Sequence, residues 1–247
     1  MVNYQEDYSS LQPLMFSEES RANKSRKTVA VLKDYFGQID DKIVLEIGCS
    51  TGIITNYFAD YFLKIDGIDI DKKAIEYANL NNKKNNVLFQ AVPIEEFESG
   101  KNYDVIVCSH VYEHVPDSRV LLDNIYRLLK PGGVCYFAAG NKFQPMEPHY
   151  KLLFLSYFPK SISNLYLKIT KKGDFYYENH LSLRNLKKLV SKFVIIDYTL
   201  KIINEPSKFY LEDMIRTKGI IHKLIKLFAR VFFFFIPTYI WILKKED

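Results

Sequence analysis

The sequence predicts an α/β protein with a parallel sheet that helices cover on both faces. Short apolar runs rich in β-branched residues alternate with helical patterns through the middle of the chain, as they do when helices join parallel strands. Strong turn signals such as Pro131-Gly132-Gly133 separate these patterns. The chain has 247 residues, 48% of them hydrophobic, so one large domain can enclose a sizeable core.

The elements of this core follow one another in regular order. Five strands are predicted, at Ile43–Ile47, Lys64–Ile68, Val87–Ala91, Tyr103–Ser109 and Val134–Ala139. Three helices are predicted between them, at Thr51–Phe62, Asp71–Lys84 and Asp117–Lys130. Short polar side chains accept hydrogen bonds from the unpaired N–H groups of a helix start, so Ser50 or Thr51 is expected to cap the first helix and Asp71 the second.

Less regular segments flank the core. An amphipathic helix is predicted at 16–36, before the first strand. Residues 141–180 are rich in aromatic residues and lysine and show no strand pattern, which indicates an inserted cap. Two further strands are predicted at Phe193–Ile203 and Thr238–Leu243, with a helical segment between them.

Composition excludes several classes of protein. With 18 Tyr and 18 Phe the chain is not disordered. Its net charge is +5, and the basic residues are scattered rather than arranged in a stripe, so no nucleic-acid partner is expected. Three cysteines without C-x-x-C spacing argue against a disulfide framework and favour a cytoplasmic location, and no metal ligands are assigned. The acidic N-terminal stretch is unlike a signal peptide.

The segment Val44–Gly52 (VLEIGCSTG) is the most informative part of the sequence. A strand carries the acid Glu46 near its end and leads through Gly48 to Gly52 at the start of a helix. Glycines there allow the backbone to approach a ligand closely, and the helix start offers unpaired N–H groups. Ligands of parallel α/β sheets bind at this edge of the sheet, so we expect a nucleotide-like cofactor at this corner.

Two nucleotide-binding patterns fail to fit this corner. The dinucleotide fingerprint would need glycine at Ser50 and a small residue at Ile53, and a P-loop would need a lysine after Gly52. Asp69, which ends the second strand, is placed to accept hydrogen bonds from both ribose hydroxyls. That position supports adenosine binding and leaves open which adenosine cofactor is bound.

Four stretches together resemble the class I S-adenosylmethionine-dependent methyltransferases. The E-x-G-x-x-x-G corner resembles their motif I, with Ser50 where a glycine is usual, and Asp69 matches their second acid. Tyr103–Asp117 (YDVIVCSHVYEHVPD) is similar to the segment after strand four in many small-molecule members, including those of quinone biosynthesis. Leu129–Gly133 (LKPGG) is similar to their turn before strand five. The resemblance implies S-adenosyl-L-methionine as cofactor and a Rossmann-like seven-stranded sheet, mostly parallel with the last strand antiparallel.

The resemblance divides the chain and assigns cofactor contacts. The parts of this single domain are an N-terminal lid (1–40), a cofactor-binding core (41–140), a substrate cap (141–180) and a C-terminal part with strands and an amphipathic helix (181–247). The residues expected at the cofactor are Glu46, Gly48, Cys49, Ser50, Gly52, Asp69, Ile70, Val92, Ile94, Ser109 and Arg21. Where the family often has an Asp for adenine, Gln90–Glu96 contains none, so apolar contact from Val92 or Ile94 is expected. Arg21 either meets the methionine carboxylate or is an ordinary surface residue.

Three histidines are candidates for the chemistry at the acceptor. His110 follows the fourth strand, His149 lies where the cap begins and His180 lies at its other end. Removing a proton helps methyl transfer to a hydroxyl, and histidine is the usual base for that step. His149 is the better candidate for the general base. For the cap residues His149 and His180, the alternative is that they only bind backbone carbonyls.

The acceptor class follows from a looser resemblance in the cap. Asn141, Glu147-Pro148-His149, Leu155–Pro159 and Tyr166 resemble a branch of methyltransferases associated with glycan and cell-surface polysaccharide assembly. It implies an O-methyltransferase acting on a sugar hydroxyl of a small molecule or a lipid-linked glycan. The alternatives are an RNA or protein methyltransferase and a non-catalytic protein that only binds the cofactor. The oligomeric state is left open.

The C-terminal segment is basic and amphipathic. Lys223, Lys226 and Arg230 share one face of the helix predicted within 219–236, and large apolar residues share another. Val231–Leu243 is too short to span a bilayer and contains a proline. Peripheral contact with the inner face of the membrane is one hypothesis. The other is that the helix docks on its own sheet or on a second subunit.

Overall fold

The computed structural model describes residues 16–82, 84–212 and 219–246. Its centre is a seven-stranded sheet in the order β3-β2-β1-β4-β5-β9-β8. The strands are β1 (Ile43–Ile47), β2 (Lys64–Asp69), β3 (Val87–Ala91), β4 (Tyr103–Ser109), β5 (Leu129–Gly140), β8 (Val194–Asp197) and β9 (Thr238–Lys244). β1 to β5 pair in parallel, and β9 is antiparallel to both of its neighbours. The predicted seven-stranded sheet with an antiparallel last strand is confirmed.

Helices cover both faces of this sheet. They are α1 (Glu18–Phe36), α2 (Ile53–Phe58), α3 (Lys72–Asn81), α4 (Ser118–Leu128), α5 (Lys160–Ile169), α6 (Leu183–Leu189), α7 (Thr199–Asn204) and α8 (Ile220–Val231). Successive side chains of a strand point to opposite faces. Leu45 of β1 therefore packs in one apolar core with Trp241, while its neighbour Val44 packs in a second core with Leu32 of α1 and Phe58 of α2.

The start of α2 differs from the prediction. Neither Ser50 nor Thr51 caps it, because the N-cap is Gly52, which has a left-handed φ of 73° and no side chain to accept a bond. The expected cap at Asp71 is confirmed, since its carboxylate accepts a hydrogen bond from Ala74 N at 3.1 Å. β5 begins at Leu129, earlier than predicted, because Leu129 pairs with Tyr103 across an irregularity in the ladder.

The predicted strand Phe193–Ile203 is wrong in its second half. β8 ends at Asp197, and the chain then turns into α7. Asp197 Oδ1 accepts a hydrogen bond from Thr199 N at 2.8 Å, which turns the backbone out of the strand. The apolar run continues through that turn, so its composition alone did not reveal the change.

Residues 141–180 form a small unit with its own apolar cluster of Leu152, Leu155, Leu167 and Tyr176. The unit contains a short antiparallel pair, β6 (Met146–Glu147) and β7 (Leu152–Leu153), which the sequence pattern did not predict. Asn141 bridges to Leu181, so both ends of the unit meet at the end of β5. Within the part of the chain that the structure describes, no helix has the length and apolar composition to cross a membrane.

Candidate active site

The turn after β1 runs from Gly48 to Gly52, and we call it the glycine corner. Both of its glycines adopt a left-handed backbone conformation that favours glycine. Gly48 is exposed and has a φ of +72°, and a Cβ there would lie 2.7 Å from Cγ2 of Val111. The N–H groups of Gly48 and Cys49 both donate to the carbonyl of Ile68, which fastens the corner to β2. The Cys49 side chain is buried, and burial raises the pKa of its thiol, so it packs as a neutral group.

Ser50 stands where the resembled family usually has glycine. It adopts a φ of +49°, a left-handed conformation that few side chains tolerate. Its buried Oγ has no hydrogen-bond partner within the described residues. A buried hydroxyl in that state favours a polar ligand at the corner. Gly52 closes the corner, since a Cβ there would lie 2.5 Å from Cζ of Phe89 on β3.

Asp69 lies at the end of β2 beside this corner. Its Oδ2 accepts a hydrogen bond from Ser50 N at 2.7 Å, and its Oδ1 accepts one from Asp71 N at 2.9 Å. Burial raises the pKa of this carboxyl. A carboxylate has about four acceptor sites, so these two bonds hold it in place and leave it able to accept hydrogen bonds from hydroxyl groups. Ile70, the next residue, is half-buried.

Glu46 is buried on β1 below the corner. Its Oε2 accepts a hydrogen bond from Thr55 Oγ1 at 2.6 Å. Burial raises the pKa of Glu46 to about 8, although the charge of Arg21 acts in the opposite direction. Arg21, on α1, therefore lies within electrostatic reach of Glu46. Residues 1–15 of the predicted lid lie outside the described residues.

The other predicted cofactor residues lie at different depths. Val92 is half-buried, and its N–H donates to the carbonyl of Asp69 at 2.9 Å, which places it beside the corner. Ile94 is buried in the apolar core. Ser109 is half-buried at the end of β4. The exposed glycine, the buried hydroxyl of Ser50 and the Asp69 carboxylate together fit an adenosyl ligand at this edge of the sheet.

A second group of polar side chains lies next to the corner. It consists of carboxylates and histidines from three separate segments, which we call the acid–histidine cluster: His110, Glu113, His114, Glu147, His149, Glu178 and His180. Val111 joins the two regions, because it contacts Gly48 and lies within the first segment. Within the described residues, no group of three or more His, Cys, Asp or Glu is arranged to hold a metal ion.

The closest pair in the cluster is His149 and Glu147. His149 Nδ1 lies 2.7 Å from Glu147 Oε1, and the other oxygen of Glu147 accepts the N–H of Tyr150 at 2.9 Å. Because a carboxylate can only accept, Nδ1 donates and Nε2 of the neutral ring keeps its lone pair. Glu147 is fully buried and also lies 3.7 Å from Nε2 of His180.

The remaining contacts of the cluster place His110 and His180 near Glu113. His110 Nδ1 lies 3.2 Å from Oε1 of the fully buried Glu113. A Cβ on Gly140 would lie 2.8 Å from Cε1 of His180 and 3.2 Å from Oε1 of Glu113, so both side chains press against the end of β5. The structure therefore brings all three predicted histidines into one cluster.

The contacts within the cluster shift the pKa values of its carboxylates and histidines in opposite directions. Burial acts to raise the pKa of Glu147, but the hydrogen bond from His149 and the nearby ring of His180 lower it to about 2. Burial acts to lower the pKa of His149, but the bond to Glu147 and the nearby carboxylates raise it overall. Burial raises the pKa of Glu178, whose Oε1 lies 3.8 Å from His149 Nδ1. His149 is therefore a stronger base than an ordinary histidine.

Sequence reasoning missed the carboxylates of this cluster. Glu147 and Glu178 each stand two positions before a histidine, in Glu147-Pro148-His149 and Glu178-Asn179-His180. This repeated E-x-H spacing was the signal that could have found them. The partner of His110 is Glu113, three positions along the chain.

A family model described as a methyltransferase domain matches residues 18–192. The chain belongs to this methyltransferase family. The resemblance to class I S-adenosylmethionine-dependent methyltransferases, and with it the expected cofactor, is confirmed. The match begins at α1 and ends just before β8, so it includes both the glycine corner and the acid–histidine cluster.

Two curated relatives of this methyltransferase have the same function name. The ubiquinone biosynthesis O-methyltransferases of Bordetella avium and Nitrosomonas europaea are 31% and 30% identical to it over 115 residues. Each match covers 45% of this chain, and 48% and 49% of the two relatives. The chain thus spans about half the length of the curated relatives it matches.

Solved structures share the fold of the methyltransferase. The plantazolicin methyltransferase BpumL, in complex with a triazolic desmethylPZN analog and SAH, aligns with a TM-score of 0.62 at 18% identity, covering 97% of this chain and 90% of that chain. The N-methyltransferase NodS from Bradyrhizobium japonicum, in complex with S-adenosyl-L-homocysteine (SAH), aligns with a TM-score of 0.55 at 14% identity, covering 98% and 100%. The predicted Rossmann-like fold is confirmed.

Proposed function

We propose that this chain transfers the methyl group of S-adenosylmethionine to a hydroxyl of a small-molecule acceptor. The observation that carries the proposal is the 2.7 Å bond between His149 Nδ1 and the buried Glu147 carboxylate. It orients the ring and raises its basicity, and because Nδ1 donates to Glu147, Nε2 is the basic nitrogen of the neutral ring. An oxygen acceptor needs such a base, because a neutral hydroxyl is a poor nucleophile.

The glycine corner would hold the methyl donor. Gly48, Cys49, Ser50 and Gly52 would line its methionine and ribose part, and Asp69 with Ile70 would meet the ribose hydroxyls. Of the two apolar candidates for adenine, Val92 is the proposed contact, because Ile94 is buried in the core, and Ser109 would form part of the wall of the site. The donor supplies an activated methyl group on a sulfonium when it is bound. Glu46 and Arg21, which are within electrostatic reach of each other, would lie near the charged methionine part of the donor.

The acid–histidine cluster would hold the acceptor. His149 takes the hydroxyl proton on Nε2 as the new oxygen–methyl bond forms, and Glu147 stabilises the resulting imidazolium. His180 and His110 would border the acceptor, held by Glu147 and Glu113 respectively. Segment 141–180 would select the acceptor as a cap, and the N-terminal helix α1 would act as a lid that excludes water.

The acceptor class is the finer part of the proposal. A sugar or glycan precursor is supported by the cap resemblance at Asn141, Glu147–His149 and Tyr166. The name of the curated relatives points to an oxygen acceptor in ubiquinone biosynthesis. Both acceptors offer a hydroxyl, so the proposed chemistry at His149 is the same for either.

The test is methyl transfer from S-adenosylmethionine labelled in its methyl group. The purified chain is incubated with nucleotide sugars, oligosaccharides, catechols and fractionated cell extract, and the labelled product is identified by mass spectrometry. We expect a methyl ether on a small molecule. A label on an amine, an RNA or a protein would contradict the proposal. SAH binding without transfer to any fraction would indicate a non-catalytic binding protein.

A further inference from the structure

Helix α8 rests on the protein along a narrow strip. His222 and Ala229 are its buried residues, and the His222 ring bonds the carbonyl of Ile203 with 3.2 Å between Nε2 and the oxygen. Ala229 packs in the apolar core with Ile236, which follows the helix. Residues 222 and 229 are two turns apart, so they lie on the same side of the helix. The opposite side therefore faces away from the protein.

That outward side is apolar. Its large side chains are 57–68% exposed along α8, and the surface continues into the following 3-10 turn with Phe232 and Phe234. We call this set the α8 surface: Ile220, Leu224, Leu227, Phe228, Val231, Phe232 and Phe234. The hypothesis that the apolar face packs on the protein's own sheet is therefore wrong. Monomeric proteins rarely leave so continuous an apolar patch without a partner.

The charged residues of the segment that carries the α8 surface all have one sign. Lys223 and Arg230 are exposed and lie along the same flank of the apolar face, two turns apart. No Asp or Glu occurs between Gly219 and Lys245. A flat apolar face bordered by cations is complementary to an anionic lipid surface, where the apolar side chains enter the acyl boundary and the cations meet the headgroups.

We propose that the α8 surface docks the protein onto an anionic lipid membrane. The helix has 12 residues, too few to span a bilayer, and its exposed apolar face suits lying in the plane of the interface. A second copy of the chain would be a poorer occupant, because its own α8 surface brings further cations and no carboxylate to pair with them.

The α8 surface is tied directly to the region of the acid–histidine cluster. Asn141 Nδ2 donates hydrogen bonds to the carbonyls of Phe234 and Ile236, at 2.7 and 2.9 Å. Asn141 follows Gly140, against which the His180 ring packs. Docking thus brings the acceptor side of the proposed active site towards the lipid. The docking proposal does not depend on which acceptor is methylated.

The test is co-sedimentation of the full chain with lipid vesicles. We expect binding to vesicles of phosphatidylglycerol and phosphatidylcholine, weak binding to phosphatidylcholine alone, and a loss of binding as salt is raised. The double variant Leu227→Glu/Phe228→Glu should lower the partition onto anionic vesicles about tenfold or more. The double variant Lys223→Glu/Arg230→Glu should also lower it about tenfold and remove the dependence on anionic lipid.

Leu80→Glu is the matched control, because Leu80 is 86% exposed on α3, away from this surface. It should bind vesicles as the wild type does, and all variants should keep the wild-type affinity for SAH, which shows that they are folded. No binding of the wild type to anionic vesicles, or unchanged binding of Leu227→Glu/Phe228→Glu, would overturn the proposal. So would a wild-type dimer in sedimentation velocity that this variant dissociates, without any vesicle binding.

Discussion

Two buried glutamates in neighbouring regions have pKa values that are shifted in opposite directions. Glu46 lies below the glycine corner, where burial raises its pKa to about 8. Glu113 is fully buried in the acid–histidine cluster, where burial acts in the same direction but the bond from His110 and the charges of the nearby histidines lower its pKa to about 2. The difference shows that the partners of a buried carboxyl decide its charge, and burial alone does not.

The two regions also differ in how they are built. The glycine corner is held by backbone N–H groups, such as those of Gly48 and Ser50, and is lined by few charges. The acid–histidine cluster is held by side-chain pairs, such as Glu147 with His149, that balance one another without a ligand. We infer that the corner acquires its charge balance when the donor binds, whereas the cluster is organised beforehand for proton transfer.

The largest effect should come from removing the proposed base. His149→Ala should lower kcat by about 10²- to 10⁴-fold, because general-base catalysis contributes about that much. Its affinity for SAH should stay within about twofold of wild type, since the two regions act separately. Steady-state kinetics and equilibrium dialysis measure the two quantities. Pro148→Ala, at the exposed neighbour, is the control and should keep wild-type turnover. Equal losses in both variants would refute the assignment.

Removing only the charge behind the base should have a smaller effect. Glu147→Gln keeps the shape of the side chain but loses a charged hydrogen bond, so turnover should fall about 10- to 100-fold. The raised pKa of His149 should fall. Because the base acts when neutral, the acidic limb of the kcat/KM profile should move to lower pH than in the wild type. A limb that does not move would show that Glu147 has only a structural role.

A change in the glycine corner should affect the cofactor alone. Gly48→Ala forces a side chain onto a φ of +72° with Val111 Cγ2 at 2.7 Å, so we expect about tenfold weaker SAH binding. Gly37→Ala is a matched control, because Gly37 has a φ of +75° and nothing within 4 Å of a new Cβ. Both variants should lose stability in thermal unfolding, Gly48→Ala more because of its added contact with Val111, but only Gly48→Ala should lose SAH affinity. Equal SAH binding would contradict a cofactor site at Gly48.

The smallest effects should appear in the pH dependence of stability. The folded-state pKa of Glu46 is raised, so its contribution to stability is lost as pH rises from 4.5 towards 8. Glu46→Gln should therefore raise the Tm of the ligand-free protein at pH 9 by about 2–4 °C. The folded-state pKa of Glu113 is lowered, so its contribution is present above 4.5 and is lost as pH falls towards 2.

The corresponding substitution of Glu113 should change the pH dependence of stability in the opposite sense to Glu46→Gln. Glu113→Gln should lower the Tm at pH 7, and the difference from wild type should shrink as pH falls below 4.5, because the wild-type contribution disappears there. Unfolding followed by circular dichroism across the pH range measures both curves. Shifts of the same sign for Glu46→Gln and Glu113→Gln at every pH would contradict the opposite charge states.

The sequence predicted the central sheet and the glycine corner because both are local in the chain. Val44–Gly52 carries a strand, a turn and a helix start within one short segment, and each leaves a pattern in residue type. The helical turn after Asp197 was missed because its apolar run continues unbroken from β8 into α7. The predicted cap at Ser50 or Thr51 was also wrong, because the N-cap is Gly52, which adopts a left-handed conformation.

The acid–histidine cluster was only partly predictable. His110, His149 and His180 were selected by their places at the ends of strands and of the cap. Their pairing with Glu113 and Glu147 inside one segment leaves a spacing in the sequence, as in Glu147-Pro148-His149. The approach of His180 to Glu147 joins two distant segments, so no spacing in one segment reveals it. The sequence also could not predict that the apolar face of α8 points outward, because its amphipathic pattern fits an inward or an outward apolar face equally well.

Calorimetric titration of the purified chain with S-adenosylmethionine and SAH tests the central claim, that the corner between β1 and β2 holds the methyl donor. We predict binding of one molecule of either ligand per chain. Asp69→Ala should weaken both, because it removes the carboxylate that holds the corner and that we propose as the partner of the ribose hydroxyls. An absence of binding heat at several temperatures, with a folded protein, would contradict the account.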